Sequence, residues 1–183
     1  MSKTSILVVT AVAVLAIAGF AVAHGFAADD SAMPQVGQTA PSFTLPSQEG
    51  TPISLDSYRG KWVVLYFYPK DMTTGCTIEA HNFQRDLGKY QALNAVILGV
   101  SVDSVDSHKQ FCTKDSLSFT LLSDSDKKVV QTYGSLANLG FAKRNTFLID
   151  PSGKIVKVWT KVDPSHHSEE VLAALAELKK QKG

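Results

Sequence analysis

Cysteine is scarce in this chain, with two in 183 residues, Cys76 and Cys112. Two cysteines allow one bridge and cannot supply the usual four-ligand metal site. They are too far apart to form a C-x-x-C pair, which weighs against a disulfide oxidoreductase. An excess of one charge is missing too. The 18 Lys and Arg residues stand against 17 Asp and Glu, for a net charge of +1. With no basic stripe and no acidic tail, nucleic acid and polyanions are poor candidates for partners. There is no internal repeat, and no biased segment beyond the first 23 residues.

Those residues do carry a long apolar run. One basic residue, Lys3, precedes Ile6–Ala23, and Ala21-Val22-Ala23 offers a small-residue cleavage site. This is the layout of a secretory signal peptide. A run of this length can also span a bilayer, so the alternative for residues 6–23, after a cleaved signal peptide, is an uncleaved membrane anchor. Either reading places the rest of the chain outside the cytoplasm, periplasmic or anchored and facing outward. Residues 24–35 are small, polar and broken by proline and glycine, as a linker is. Residues 36–183 remain as a single domain of about 145 residues, enough to bury a substantial core. Both cysteines fall in this exported part, where an oxidising environment permits pairing.

The domain opens with a predicted hairpin, residues 42–45 and 53–55 around a Pro46–Gly50 turn. WVVLYFY (62–68) is a nearly continuous apolar run, suited to a strand buried on both faces, and Pro69 ends it. From about Thr74 to Tyr90 the spacing of Ile78, Phe83, Leu87 and Tyr90, three to five residues apart, predicts a helix. A second buried strand follows at 95–101. DSVD (103–106) then reads as the cap of a helix running to about Lys114. Residues 119–122 are a short strand, and 126–133 a short helix closed by Gly134. Strands at 145–150 and 154–159 flank the Pro151-Ser152-Gly153 turn. An amphipathic helix over 165–180 turns Val171, Leu172, Leu175 and Leu178 inward. Strand–helix–strand units followed by a hairpin and a helix make an α/β fold with a mixed central sheet flanked by helices.

Cys76 falls just past the carboxyl end of the 62–68 strand, where such folds place their chemistry. With Thr73 as N-cap, Cys76 is the third residue of the helix, whose N–H the Thr73 oxygen would accept from. Unpaired N–H groups and the helix dipole favour negative charge on a sulfur there, and a thiolate is the attacking form. Gly75 lets a small ligand approach the backbone closely. The bland alternative is a plain cap followed by a small buried residue, and spacing alone leaves both open.

The stretch YFYPKDMTTGCTIEA (66–80) resembles the active-site loop of the peroxiredoxins, P-x-x-x-T-x-x-C, and in particular the peroxiredoxin Q, or bacterioferritin comigratory protein, branch. VGQTAPSFTL (36–45), LLSD (121–124), Tyr133-Gly134 and RNTFLIDPSGKI (144–155) are similar to the same branch. The resemblance implies a thioredoxin-like fold and a thioredoxin-dependent thiol peroxidase acting on hydrogen peroxide and organic hydroperoxides, in antioxidant defence. Cys76 would be the peroxidatic cysteine. Thr73 would hydrogen-bond the sulfur or the peroxide, Pro69 would shield the sulfur, and Arg144 would hold the thiolate and orient the peroxide. No metal, haem or flavin cofactor is implied, and relatives of this branch are commonly monomers. Glu79 is a candidate partner for an arginine, or part of a solvated helix face.

Two departures matter. Many members carry a second cysteine five residues after the first, and that position is His81 here, read as a solvated helix histidine. Cys112, in HKQFCTK (108–114), matches a group whose resolving cysteine lies on the later helix, so the resemblance implies a Cys76–Cys112 disulfide. The other possibilities are a buried structural Cys112 or a permanent bridge in a non-catalytic binding module. Thr74 stands where relatives usually have proline, which should loosen the loop. His166 and His167 are read as part of the last helix's capping turn.

Overall fold

The protein, seen here in a computed structural model, is described over residues 33–182. The expected signal or anchor segment and most of the expected linker lie outside the described residues. Of that linker, Met33 packs half-buried against the domain and Pro34 is buried. Among the described residues no helix is long and apolar enough to cross a membrane.

A short hairpin of β1 (Thr44–Pro46) and β2 (Pro52–Ser54) opens the domain, and a 3-10 turn at Leu55–Tyr58 follows. The main sheet holds β3 (Trp62–Phe67), β4 (Ala95–Ser101), β5 (Thr120–Ser123), β6 (Asn145–Ile149) and β7 (Ile155–Trp159), in the order β5-β4-β3-β6-β7. β3, β4 and β5 run parallel, and β6 and β7 are antiparallel to their neighbours. The helices are α1 (Thr74–Ala92), α2 (Val105–Asp115), α3 (Lys128–Thr132) and α4 (His167–Lys182).

β3 is buried along its whole length because both faces are covered. Alternation along a strand sends successive side chains to opposite faces. Val63, Leu65 and Phe67 join the core beneath the hairpin and α3, with Tyr133, Phe147 and Ile155. Trp62, Val64, Tyr66 and Tyr68 join the core under α1, α2 and α4, with Phe83, Tyr90, Phe111, Val171 and Leu175. The expected order of elements is present, with ends shifted by at most two residues.

Of the four apolar residues whose spacing marks α1, Phe83 and Tyr90 are buried and Leu87 packs against the same core, while Ile78 is 41% exposed. The inner face also carries Cys76, Glu79, Ala80 and Asp86. Two carboxylates hold inward positions because each meets fixed partners. Asp86 accepts from Arg85 at 2.6 Å, Lys89 at 2.8 Å and the Ser168 hydroxyl at 2.9 Å, which ties α1 to α4. The bond from Arg85 above all, with those from Lys89 and Ser168, holds the Asp86 carboxyl well below the usual range.

A folded-state pKa below the unfolded one gives stability that is complete above about pH 4 and is lost as pH falls further. Asp86→Asn should therefore cost about 1–3 kcal/mol at pH 7, the range for losing hydrogen bonds to a buried charged group. It should also flatten the acid limb of the stability curve below about pH 4. Urea unfolding across pH 2–7 checks both.

Candidate active site

The sheet register brings the site together. β6 pairs antiparallel with β3 so that Asn145 faces Phe67, and the preceding residue, Arg144, reaches the carboxyl end of β3. α1 begins at the same end. Tyr68 still bonds Val100 O at 3.1 Å, and Pro69 then follows, half-buried, with no N–H to continue the ladder.

Cys76 lies in the first turn of α1 with 2% of its surface exposed, and its thiol is free. Arg144 Nη2 donates to Cys76 Sγ at 3.3 Å, and Nη1 of the same guanidinium donates to Glu79 Oε2. One half-buried cation is thus shared between a sulfur and a carboxylate that sit one helical turn apart. The guanidinium lies close to the backbone of this turn: a Cβ at Gly75 would make ordinary contacts of 3.4 Å with Arg144 Nη2 and 3.8 Å with Pro164 Cγ. Asn82 holds the neighbouring loop over α1 through bonds to Pro164 O at 3.0 Å and Ser165 O at 2.9 Å.

Thr73 is the N-cap residue, yet its hydroxyl does not cap. Its Oγ1 donates to Lys70 O at 3.0 Å and braces the loop instead, which corrects the expected bond to the Cys76 N–H. The first intrahelical bond is Thr77 N to Thr73 O, at 2.9 Å. The N–H groups of Thr74, Gly75 and Cys76 therefore remain outside the helix ladder and available to an anion.

Cys112 is half-buried on α2, packed against the core cluster that contains Cys76, and it too is a free thiol. Burial, together with the Asp71 and Glu49 carboxylates, pushes it up to about 11. The structure is therefore that of the reduced protein, and the expected Cys76–Cys112 bridge is not formed in it. His81 is exposed and contacts Asp115 at 2.9 Å, joining α1 to the far end of α2.

Several buried polar groups near the site were not anticipated. Asp71, between Pro69 and Thr73, receives the Tyr68 hydroxyl at 2.7 Å and the Ser107 hydroxyl at 2.7 Å, and meets His108 Nδ1 at 2.9 Å. His167 is fully buried as the first residue of α4, and its Nε2 meets Thr146 Oγ1 at 2.8 Å. Burial pushes its imidazole down, against the pull of Glu170. The capping-turn reading fits the backbone, where His167 N bonds Asp163 O at 3.0 Å, but not the buried ring. Among the described residues no group of three or more His, Cys, Asp or Glu side chains could hold a metal ion.

Known proteins can now be set beside this geometry. Residues 36–158 match the AhpC/TSA family. The Bacillus subtilis peroxiredoxin Bcp is 40% identical over 151 residues, covering 79% of this chain and 96% of that protein. The structure of a cysteine-to-serine mutant of Xylella fastidiosa PrxQ superposes with a TM-score of 0.78 at 37% identity, over 81% of this chain and 99% of that one. A Xanthomonas campestris bacterioferritin comigratory protein, studied for alkyl peroxide reduction through trapped intermediate and ligand complexes, gives a TM-score of 0.71 at 38% identity. That match covers 74% of this chain and 90% of the other.

Glu79 offers a test of the shared cation. Burial pushes its carboxyl up to about 7, against the pull of Arg144. The folded state then binds more protons than the unfolded one between about pH 4.5 and 7, so stability falls as pH rises through that window. Glu79→Gln should remove this fall, a difference on the order of 1–3 kcal/mol between pH 5 and 8 in urea unfolding.

Proposed function

The chain belongs to the AhpC/TSA family, and on that premise we propose that Cys76 is its peroxidatic cysteine and Cys112 its resolving cysteine. The protein is a thiol peroxidase with a thioredoxin-like fold. The observation that carries the residue assignment is the Arg144 Nη2–Cys76 Sγ contact of 3.3 Å at the start of a helix. A fixed cation and unpaired N–H groups both favour negative charge on the attacking sulfur.

In the first step the Cys76 thiolate attacks the terminal oxygen of a hydroperoxide in line with the O–O bond. The S–O bond forms and the O–O bond breaks. The electron pair leaves on hydroxide or alkoxide, which takes a proton from water. Arg144 and the N–H groups of the first turn stabilise the charge as it moves to the peroxide oxygens. Because the Thr73 hydroxyl spends its proton on Lys70 O, its oxygen is left to accept a hydrogen bond from the incoming peroxide. Pro69, which ends β3, has the shielding role that the family's loop pattern implies for that proline.

The product is a Cys76 sulfenic acid. In the second step Cys112 sulfur attacks the Cys76 sulfur and the hydroxyl leaves, taking the thiol proton as water. A thioredoxin-like dithiol donor then returns two electrons and restores both thiols. The leader sequence supports action outside the cytoplasm, with residues 6–23 as the means of export or of membrane attachment. A monomer supplies every group these steps need.

One equivalent of hydrogen peroxide added to the reduced protein should give an intramolecular Cys76–Cys112 disulfide, seen as a single cross-linked peptide after digestion and mass spectrometry. Cys112→Ser should stop at a sulfenic acid trapped by dimedone on Cys76. Cys76→Ser should consume no peroxide. A Cys76→Ser protein that still turned over peroxide would overturn the assignment.

A further inference from the structure

The two sulfurs are unbonded in the folded protein, and a disulfide needs them about 2.0 Å apart. Cys76 is 2% exposed, and Cys112 is held half-buried on α2 as a protonated thiol. Forming that bond moves the Cys76 loop and α2 relative to one another, and any contact that joins the two resists the movement. What holds α2 down decides how readily that happens.

α2 is tied at both ends. At its far end the ties are exposed: His81 to Asp115 at 2.9 Å, and Gln84 to Ser118 at 2.8 and 3.0 Å. Exposed pairs of this kind contribute little. At its start the tie is buried. The side chains of His108 and Asp71 are 0% and 1% exposed, and Nδ1 lies 2.9 Å from Oδ2. Ser107 donates to that same oxygen, and Tyr68 donates to the other one. The Asp71 N–H donates to Asp103 Oδ2 at 3.0 Å, and Ser101 Oγ donates to the same carboxylate oxygen at 2.7 Å. Every one of these bonds joins the loop before Cys76 to α2 or to the turn leading into it, or braces one that does. Burial opposes charge on Asp71, yet the bonds from His108, Tyr68 and Ser107 outweigh it and hold the carboxyl below its usual range.

The spacing ties this network to the thiols. Asp71 precedes Cys76 by five residues, and His108 precedes Cys112 by four, one turn earlier on the same helix face. We propose that the Asp71–His108 contact, braced by Tyr68 and Ser107, is a latch that keeps α2 folded against the Cys76 loop and so sets how fast Cys112 reaches oxidised Cys76. The inference rests on the assignment of Cys76 and Cys112 given above. Opening parts a buried, hydrogen-bonded carboxylate from its donors, which costs far more than parting the exposed ties. The chemical step is unchanged: Cys76–S–OH and Cys112–SH become the disulfide and water, with no outside oxidant. Asp71, Ser107 and His108 act as positioning residues, since none of them touches the reacting atoms.

The test uses the full chain, reduced, in rapid-quench experiments with hydrogen peroxide that count sulfenic acid and disulfide separately. His108→Asn should raise the rate of disulfide formation at least about fivefold, the size expected for losing one net hydrogen bond. Sulfenic acid formation should stay within about twofold of the wild-type rate. Ser107→Ala removes one bond without burying a new polar group, so it serves if His108→Asn does not fold. It should raise the same rate about two- to threefold. Amide hydrogen exchange over residues 105–115 should quicken in both variants while β3 and β4 are unaffected. Less sulfinic acid should accumulate at high peroxide. Disulfide formation that is unchanged or slower in a folded variant would overturn the latch, as would unchanged exchange in α2. Wild-type protein that forms no sulfenic acid would instead overturn the Cys76 assignment, and the latch with it.

Discussion

A single guanidinium lying against a buried sulfur is the constraint around which the rest of this molecule is organised. Arg144 reaches Cys76 only because β6 pairs antiparallel with β3 in the register that sets Asn145 against Phe67. It stays there because Glu79, one turn along the same helix, accepts from the other nitrogen of the guanidinium. The cost of burying the cation is met by two partners on the same helix. Burying Glu79 beside it leaves that carboxyl close to neutrality at physiological pH, so its hold on the arginine varies with pH while the sulfur's partner stays charged.

Around this contact the protein spends buried polar groups where a simpler core would use hydrocarbon. Asp86 locks α1 to α4, Asp71 locks the Cys76 loop to α2, and His167 locks α4 to β6 through Thr146. Each joins an element that carries a functional side chain to the sheet or to another helix. Low local dielectric strengthens these buried hydrogen bonds and makes breaking them expensive. The consequence is a state in which Cys76 is rigidly placed in the first turn of α1 and Cys112 remains an unbonded thiol on α2.

Much of the frame was legible in the sequence because it is written in hydrophobic period. The unbroken 62–68 run could only be a strand covered on both faces, and the β6–β7 turn announced itself by Pro151-Ser152-Gly153. The loop motif picked out Cys76 and the family pattern picked out Arg144. Thr73 was read as a cap because cap residues and loop-bracing residues share one chemistry, and only geometry shows its hydroxyl turned to Lys70. Periodicity counts apolar residues, so it marks the exposed Ile78 and passes over Glu79 and Asp86, whose inward places depend on their charged partners. Asp71, His108 and His167 were invisible for the same reason: a buried histidine is specified by what it meets across the fold, 21 to 37 residues away in sequence.

The central claim is that Arg144 makes the sulfur reactive. The direct measurement is the second-order rate constant for one turnover of hydrogen peroxide with the Cys112→Ser protein, compared with and without an added Arg144→Gln substitution. Loss of a charged donor aimed at the reacting centre should slow sulfenic acid formation by about a hundredfold or more. Rates within about twofold of each other, in a variant with unchanged unfolding behaviour, would contradict the account.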